Sequence, residues 1–342
     1  MTASATRGKT ERVSASRYTD FIRFLAARLV KGCVVLFAIA VVNFFLIHAA
    51  PGDPASVLAG QSGAADEEFL RQLRQQFGLD QPLWYQLWLY LKGYAALDLG
   101  FSHRQQQPVL GLVLERLPAT LLLTGAAFTI SLGIGVSLGM LAARNFGKLT
   151  DSIITTLALV FYATPLFWIA LMSQIVFALK LGLLPNVGYE TIGAGYSGFA
   201  RAVDIGKHLI LPALTLGLFF TALYARMMRA SMLEIAGADF IKTAKAKGLR
   251  PSVVLRRHIA RNAVLPVVTL AGLQAGQLVG GADLTETVFA WPGMGRLLFD
   301  ALVQRDYSVL LGVFFVSSAM VVVFNIITDL LYRIADPRIE AA

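Results

Sequence analysis

Lysines at 242, 245 and 247 alternate with the small residues Ala238, Ala244 and Ala246, and the stretch ends in Gly248-Leu249-Arg250-Pro251. Cations interleaved with alanine have no catalytic use, but they suit docking. Small side chains let another surface come close, and the ammonium groups give that surface a charge preference. Asp239 is placed to cap a helix running through Ala246, because Ala, Lys and Ile fill the interior and Gly248 stops it. Pro251 opens a second short helix. Its Leu255 and Ile259 lie four apart on one face, and Arg257 and Arg261 four apart on another. Residues 238–266 therefore read as helix, glycine break, helix, set between two long apolar segments.

Other chemistry is hard to assemble. His48, His103, His208 and His258 are scattered, with no partner four residues away, and Cys33 is the one cysteine. A metal site within the chain is not expected. No Ser-His-acid grouping stands out, and Gly8-Lys9-Thr10 lacks the earlier glycine and the strand that a phosphate-binding loop needs. The reading is of no catalytic residue, no metal ligand and no cofactor in this chain. In an apolar stretch further on, Gly272, Gly276 and Gly280 recur every four residues and share one side of a helix, a pattern for close helix packing in lipid. Gln274 and Gln277 lie three apart on a different face. Amides in hydrocarbon need a partner or a water-filled path, so they either bond neighbouring helices or border a pathway.

The elements that must position these residues are membrane helices. The chain of 342 residues is 56% hydrophobic and 15% charged, with a mean hydropathy of +0.64. That is too apolar for a soluble domain of this length. A span needs roughly 20 apolar residues, and six stretches qualify: 31–50, 119–143, 152–179, 208–227, 263–283 and 308–332. The expected fold class is an all-α polytopic membrane protein with six transmembrane helices. With a cytoplasmic N-terminus, most of the 30 Lys and Arg and a minority of the 21 acids fall on the cytoplasmic side. Basic residues stay where they are synthesised, so both termini are expected in the cytoplasm. The same asymmetry explains the basic pI without a nucleic-acid partner.

Taken in order, residues 1–30 read as a cytoplasmic tail, mobile at least through residue 17, and 31–50 as a retained first span rather than a cleaved leader. Residues 51–118 form an extracytoplasmic loop with two helices. The first follows Asp66 with Phe69, Leu70, Leu73 and Phe77 on one face, and the second follows Pro82 and carries Trp84, Tyr85, Trp88 and Tyr90, rings suited to headgroup level. Residues 119–333 form a core of five spans with a cytoplasmic loop at 234–262, and 334–342 are a cytoplasmic tail. Pro165 is placed to kink the third span. Trp291-Pro292-Gly293-Met294-Gly295 cannot continue a helix, so the chain turns there and restarts near Arg296.

The 238–266 stretch resembles the cytoplasmic "EAA" loop of permease subunits in ATP-binding-cassette importers. Ala244 and Gly248 match the second alanine and the glycine, and Leu265-Pro266 the terminal pair. Lys242 stands at the acid and Thr243 at the first alanine, which leaves open whether Asp239 or nothing replaces the acid's contact. The longer interval to Leu265-Pro266, with Pro51-Gly52-Asp53-Pro54, Glu115 to Thr120, Trp291 to Gly295 and Asp336 to Ile339, is similar to the peptide/nickel permease family over residues 20 to 340. The resemblance implies a type I importer permease fold in a prokaryotic inner membrane, with Asp239, Lys242, Thr243, Ala244, Lys245, Lys247 and Gly248 forming the ATPase-coupling loop. It implies a second homologous permease, two ATPase subunits that bind ATP and Mg, and an extracytoplasmic substrate-binding protein. The substrate implied is an oligopeptide or dipeptide, with nickel or another small solute as the alternative. An ion-coupled secondary transporter is the rival class. Such machines place carboxylates deep in the bilayer, whereas Asp283 and Asp329 lie toward the ends of their spans.

Overall fold

A computed structural model describes residues 3–49, 68, 71, 75 and 80–335, with side-chain surroundings for 21–49, 68, 71, 75, 80–278 and 282–330. The chain divides into two units, Met1–Asp98 and Leu99–Ala342. In the first, helix α1 (Ala3–Ala49) is continuous through the stretch read as a tail and contains the expected first span. Alanine, arginine, lysine and glutamate in that stretch are good helix formers. Helix α2 (Leu83–Ala95) follows Pro82 and exposes Trp84 and Trp88. The helix expected after Asp66, with Phe69, Leu70, Leu73 and Phe77, lies outside the described residues.

The second unit opens with a two-residue hairpin, β1 (Phe101–Ser102) with β2 (Gln107–Pro108). Helix α3 (Val109–Arg144) follows and begins well before the apolar run, with Pro118 inside it. The expected kink at Pro165 is a complete break. Helices α4 (Leu149–Ala163) and α5 (Leu166–Ser173) meet at 103°, with α5 and a π-helical turn at Gln174–Lys180 completing the bent pair. Thr164, before the proline, is extended with ψ 133°, since the residue preceding proline is driven out of the helical region. Helix α6 (Gly198–Ala236) runs through Pro212.

Helix α7 (Asp239–Ala246) ends as expected at Gly248, whose φ is +74°. Asp239 is not its cap. Ala238 takes that position, and the Asp239 carboxylate accepts from Lys242 Nζ at 2.9 Å instead. Helix α8 (Pro251–Val253) passes through a π turn at Val254–Ala260 directly into α9 (Arg261–Gly281). The second helix of the loop is thus the root of the next span. After α9 come α10 (Asp283–Val288), the break at Trp291-Pro292-Gly293, α11 (Met294–Gln304) and α12 (Tyr307–Ala335).

Among the described residues, four helices are long and apolar enough to cross a membrane, and five with the bent pair. The expected fifth span falls on α9 (Arg261–Gly281), of which residues 279–281 lie outside the described side chains.

Helices α3 and α6 run parallel and touch backbone to backbone. A β-carbon at Gly139 would stand 2.5 Å from the Ala225 carbonyl oxygen, and one at Gly135 2.7 Å from Tyr224 Cβ. Glycines four apart permit that approach, and in lipid such packing substitutes for the hydrophobic effect.

Candidate functional site

Two sites stand at opposite ends of the second unit. At the loop end, Ile241 and Ala244 of α7 are buried in a cluster with Tyr224, Met228 and Met232 of α6, Val254 and Ile259 of the π turn, and Ala263, Val267 and Ala271 of α9. The helix therefore has an inner and an outer face. Ala244, read from sequence as part of the docking surface, is 6% exposed and faces inward. Its small side chain serves close packing inside the subunit.

The outer face carries Phe240, Lys242, Thr243, Lys245 and Lys247, with Leu249 beyond Gly248. Phe240 is 49% exposed. An aromatic ring on a lysine-rich helix pairs an apolar anchor with charge, a composition suited to an interface. Sequence reasoning missed it, although Phe240, Thr243 and Lys247 follow helical spacing. Arg257 and Arg261 are exposed beside it.

Next to this end, Asp151 near the start of α4 is clamped by Arg229 of α6. Arg229 Nε donates to Oδ1 at 2.6 Å and Nη2 to Oδ2 at 2.8 Å. The Gly147 N–H adds a third bond at 3.1 Å, and the guanidinium lies over the Phe146 ring at 5.3 Å. A two-pronged Arg–carboxylate pair fixes direction as well as distance, so the short α3–α4 loop is tied to α6.

At the far end, the turn after α9 folds back onto α3. Glu286 is fully buried. Its Oε1 accepts from Thr120 Oγ1 at 2.7 Å, and Oε2 from the N–H groups of Gly295 at 2.7 Å and Arg296 at 3.2 Å. Thr120 Oγ1 in turn accepts from Met294 N at 2.8 Å, and Trp291 Nε1 donates to the Ala119 carbonyl at 2.8 Å. Helix α11 has no local side-chain cap. Glu286 supplies one from another helix and satisfies N–H groups that the first turn leaves open.

Burial pushes the Glu286 carboxyl up to about 7, against the Thr120 hydroxyl and the Arg296 and Gly295 N–H groups, which pull it down. A β-carbon at Gly293 would overlap the Glu286 carboxylate, and one at Gly295 would overlap Asp283. This is why Pro292 is flanked by glycine on that side. The closure extends to the 181–189 loop. Gln174 Nε2 donates to the carbonyls of Asn186 and Val288, both at 3.1 Å, Gly188 N donates to Phe289 O at 2.9 Å, and Tyr189 meets Trp291 edge-on at 4.8 Å.

Between the two ends, Gly272 and Gly276 pack on α12. Thr328 fills the space beside Gly272, and Val321 Cγ1 lies 3.3 Å from where a β-carbon of residue 276 would be. Gly280 is helical, but its surroundings lie outside the described residues. Gln277 is exposed. The Gln274 side-chain oxygen and the Tyr224 hydroxyl are buried without a hydrogen-bond partner. Among the described residues no group of three potential metal ligands occurs.

Residues 135–341 match the family described as "Binding-protein-dependent transport system inner membrane component", and residues 21–124 match its N-terminal companion. The dipeptide transport system permease protein DppB of Alkalihalophilus pseudofirmus is 38% identical over 335 residues, covering 93% of this chain and 99% of that protein. DppB of Escherichia coli K12 is 38% identical over 338 residues with the same coverage. The glutathione transport system permease protein GsiC of Escherichia coli is 36% identical over 319 residues, covering 93% of this chain and 99% of that one. The fold is similar to a chain of the inward-facing MetNI methionine ABC transporter, with a TM-score of 0.54 at 18% identity, covering 66% of this chain and 96% of that chain.

Proposed function

This chain belongs to the family of binding-protein-dependent transport system inner membrane components, and from that membership we propose that it translocates dipeptides or oligopeptides as the permease subunit of an ABC importer. The family consists of transport components rather than enzymes, so the chain works by changing shape. The observation that carries the reading is the two-faced helix α7. Its inner side is built into α6 and α9, while its outer side presents Phe240 and lysines to a partner.

In this reading the loop end is cytoplasmic, both termini lie on that side, and α7 seats against one of two ATPase subunits that bind ATP and Mg. A second homologous permease completes the membrane pathway, and a binding protein delivers substrate at the far end. Closure of the ATPases displaces α7. The shared cluster passes the displacement to α6 and α9, and the bundle alternates between two accesses. Gln274 and Gln277 are assigned to the pathway. The peptide assignment follows the names of the relatives, and glutathione is itself a tripeptide.

The test is uptake of a labelled dipeptide into proteoliposomes holding the complete complex with its binding protein. Uptake that requires ATP inside the vesicle equivalent of the cytoplasm is expected. Uptake driven by a proton gradient without ATP would return the chain to the ion-coupled class, and uptake of nickel but no peptide would move it to the other substrate branch.

A further inference from the structure

Helices α3, α4 and α6 enclose a cavity of about 300 Å³ at the loop end of the bundle. Its walls are Ala142 of α3, Ile154, Ala158 and Leu159 of α4, and Ala225 of α6, and the two charged side chains in its lining are Arg226 and Arg229. Ala142 sits in the last turn of α3 and Ile154 near the start of α4. The cavity is therefore level with the helix ends, where hydrocarbon gives way to headgroups.

The charge in this cavity is unbalanced. Arg229 is neutralised by its two bonds to Asp151. Arg226 is exposed, its guanidinium lies over the Tyr162 ring at 5.3 Å, and among the described residues no carboxylate forms an ion pair with it. The walls contribute methyl and methylene groups, with Thr155 as their one hydroxyl. A peptide in such a slot would lose its hydrogen bonds to water without replacement. An acyl chain would lose nothing. Beside the cavity, α4 turns Ile153, Leu157 and Val160 outward, each about half exposed, so a lipid reaching the slot finds an apolar helix face along its path.

We propose that this cavity is a binding site for an anionic phospholipid, with one acyl chain between α4 and α6 and the phosphate on Arg226. Basic pockets between membrane helices on the cytoplasmic side suit such headgroups. The proposal rests on the membrane placement given above and not on the cargo.

The test uses the complete complex, released from its membrane in mild detergent and weighed by native mass spectrometry, with bound lipid quantified. The wild type is expected to retain phosphatidylglycerol over phosphatidylcholine. Arg226→Gln should lower that retention about fivefold, the ratio given by the ~1 kcal/mol that one basic residue contributes at an anionic surface. Ala158→Phe, which fills the slot and leaves Arg226 in place, should lower it as well, and recovery of the partner subunits reports whether each variant folds. In delipidated wild type, added phosphatidylglycerol should raise the melting temperature where phosphatidylcholine does not, a measurement independent of both variants. Equal retention in all three proteins, no thermal difference between the lipids, or a bound peptide in the slot would overturn the proposal. So would a disulfide from a cysteine at Leu159 to the partner permease. A complex that holds the lipid but takes up no peptide would count against the cargo reading alone.

Discussion

Thr328 donates its hydroxyl to the carbonyl oxygen of Gly272 at 3.0 Å, and its γ-methyl occupies the space where a β-carbon of residue 272 would stand. One side chain therefore both bonds the backbone of α9 and excludes any residue but glycine there. At Gly276 the nearest atom, Val321 Cγ1, is 3.3 Å away and able to give a little.

The two glycines should separate on substitution. Gly272→Ala is expected to cost about 1–3 kcal/mol through overpacking, and Gly276→Ala less. Adding Thr328→Ser, which removes the methyl and keeps the hydroxyl, should restore most of the loss at 272. Thermal unfolding of the purified complex measures both, and a double variant no better than Gly272→Ala alone would refute the steric account.

Glu286 supplies a pH dependence. Its carboxyl is ordinarily at 4.5 and stands at about 7 in the fold. Between those values the folded chain holds a proton that the unfolded chain has released, so stability falls as pH rises through the window and is level above it. Glu286→Gln keeps the shape and should flatten the slope. Glu286→Ala strands the N–H groups of Gly295 and Arg296 and should cost about 1–3 kcal/mol for each donor left unsatisfied. A wild-type slope identical to that of Glu286→Gln between pH 4.5 and 7 would contradict the assignment.

The outer face of α7 should govern ATPase recruitment. Phe240→Asp is expected to reduce co-purification of the ATPase subunits and to abolish uptake while insertion into the membrane persists. Gly248→Val places a β-branched side chain at φ +74°, a strain of about 1–2 kcal/mol, and should act in the same direction. Normal ATPase recovery and uptake for Phe240→Asp would remove α7 from the interface.

Orientation can be read with thiol labelling. With Cys33 replaced, a cysteine at Ile192, which is 99% exposed, should react with an impermeant reagent from outside intact cells. One at the exposed Ser252 should react after permeabilisation alone. The reverse pattern would invert the topology and remove α7 from the cytoplasm.

Much of this arrangement is legible in the chain because local rules govern it. Gly248 and Pro251 punctuate the loop, Trp291 to Gly295 interrupt the helix, and Gly272 and Gly276 lie against α12. What escaped depends on distant partners. Thr120 lies 166 residues from Glu286, and no local signal joins them. Ala244 looked like surface because an isolated helix does not reveal which of its faces is covered. Gly135 and Gly139 carry a usable small-residue spacing, but glycines are dense throughout α3, and the partner α6 decides which of them matter. The π turns at Gln174–Lys180 and Val254–Ala260 have no compositional mark.

The contact between α3 and α6 has a mechanical consequence. With Gly139 against the Ala225 carbonyl and Gly135 against Tyr224, no side-chain layer separates the two backbones at these positions, and Asp151–Arg229 pins the adjoining turn. On these contacts the pair is expected to move as a single stiff rod. From Gly139 to Ala119 the pair extends roughly 30 Å at the helical rise, so in the proposed cycle a displacement imposed near α7 would be carried toward Trp291 and Glu286 with little loss. In that cycle stroke would be conserved along the rod, and compliance left to the ends, at the glycines of the two turns.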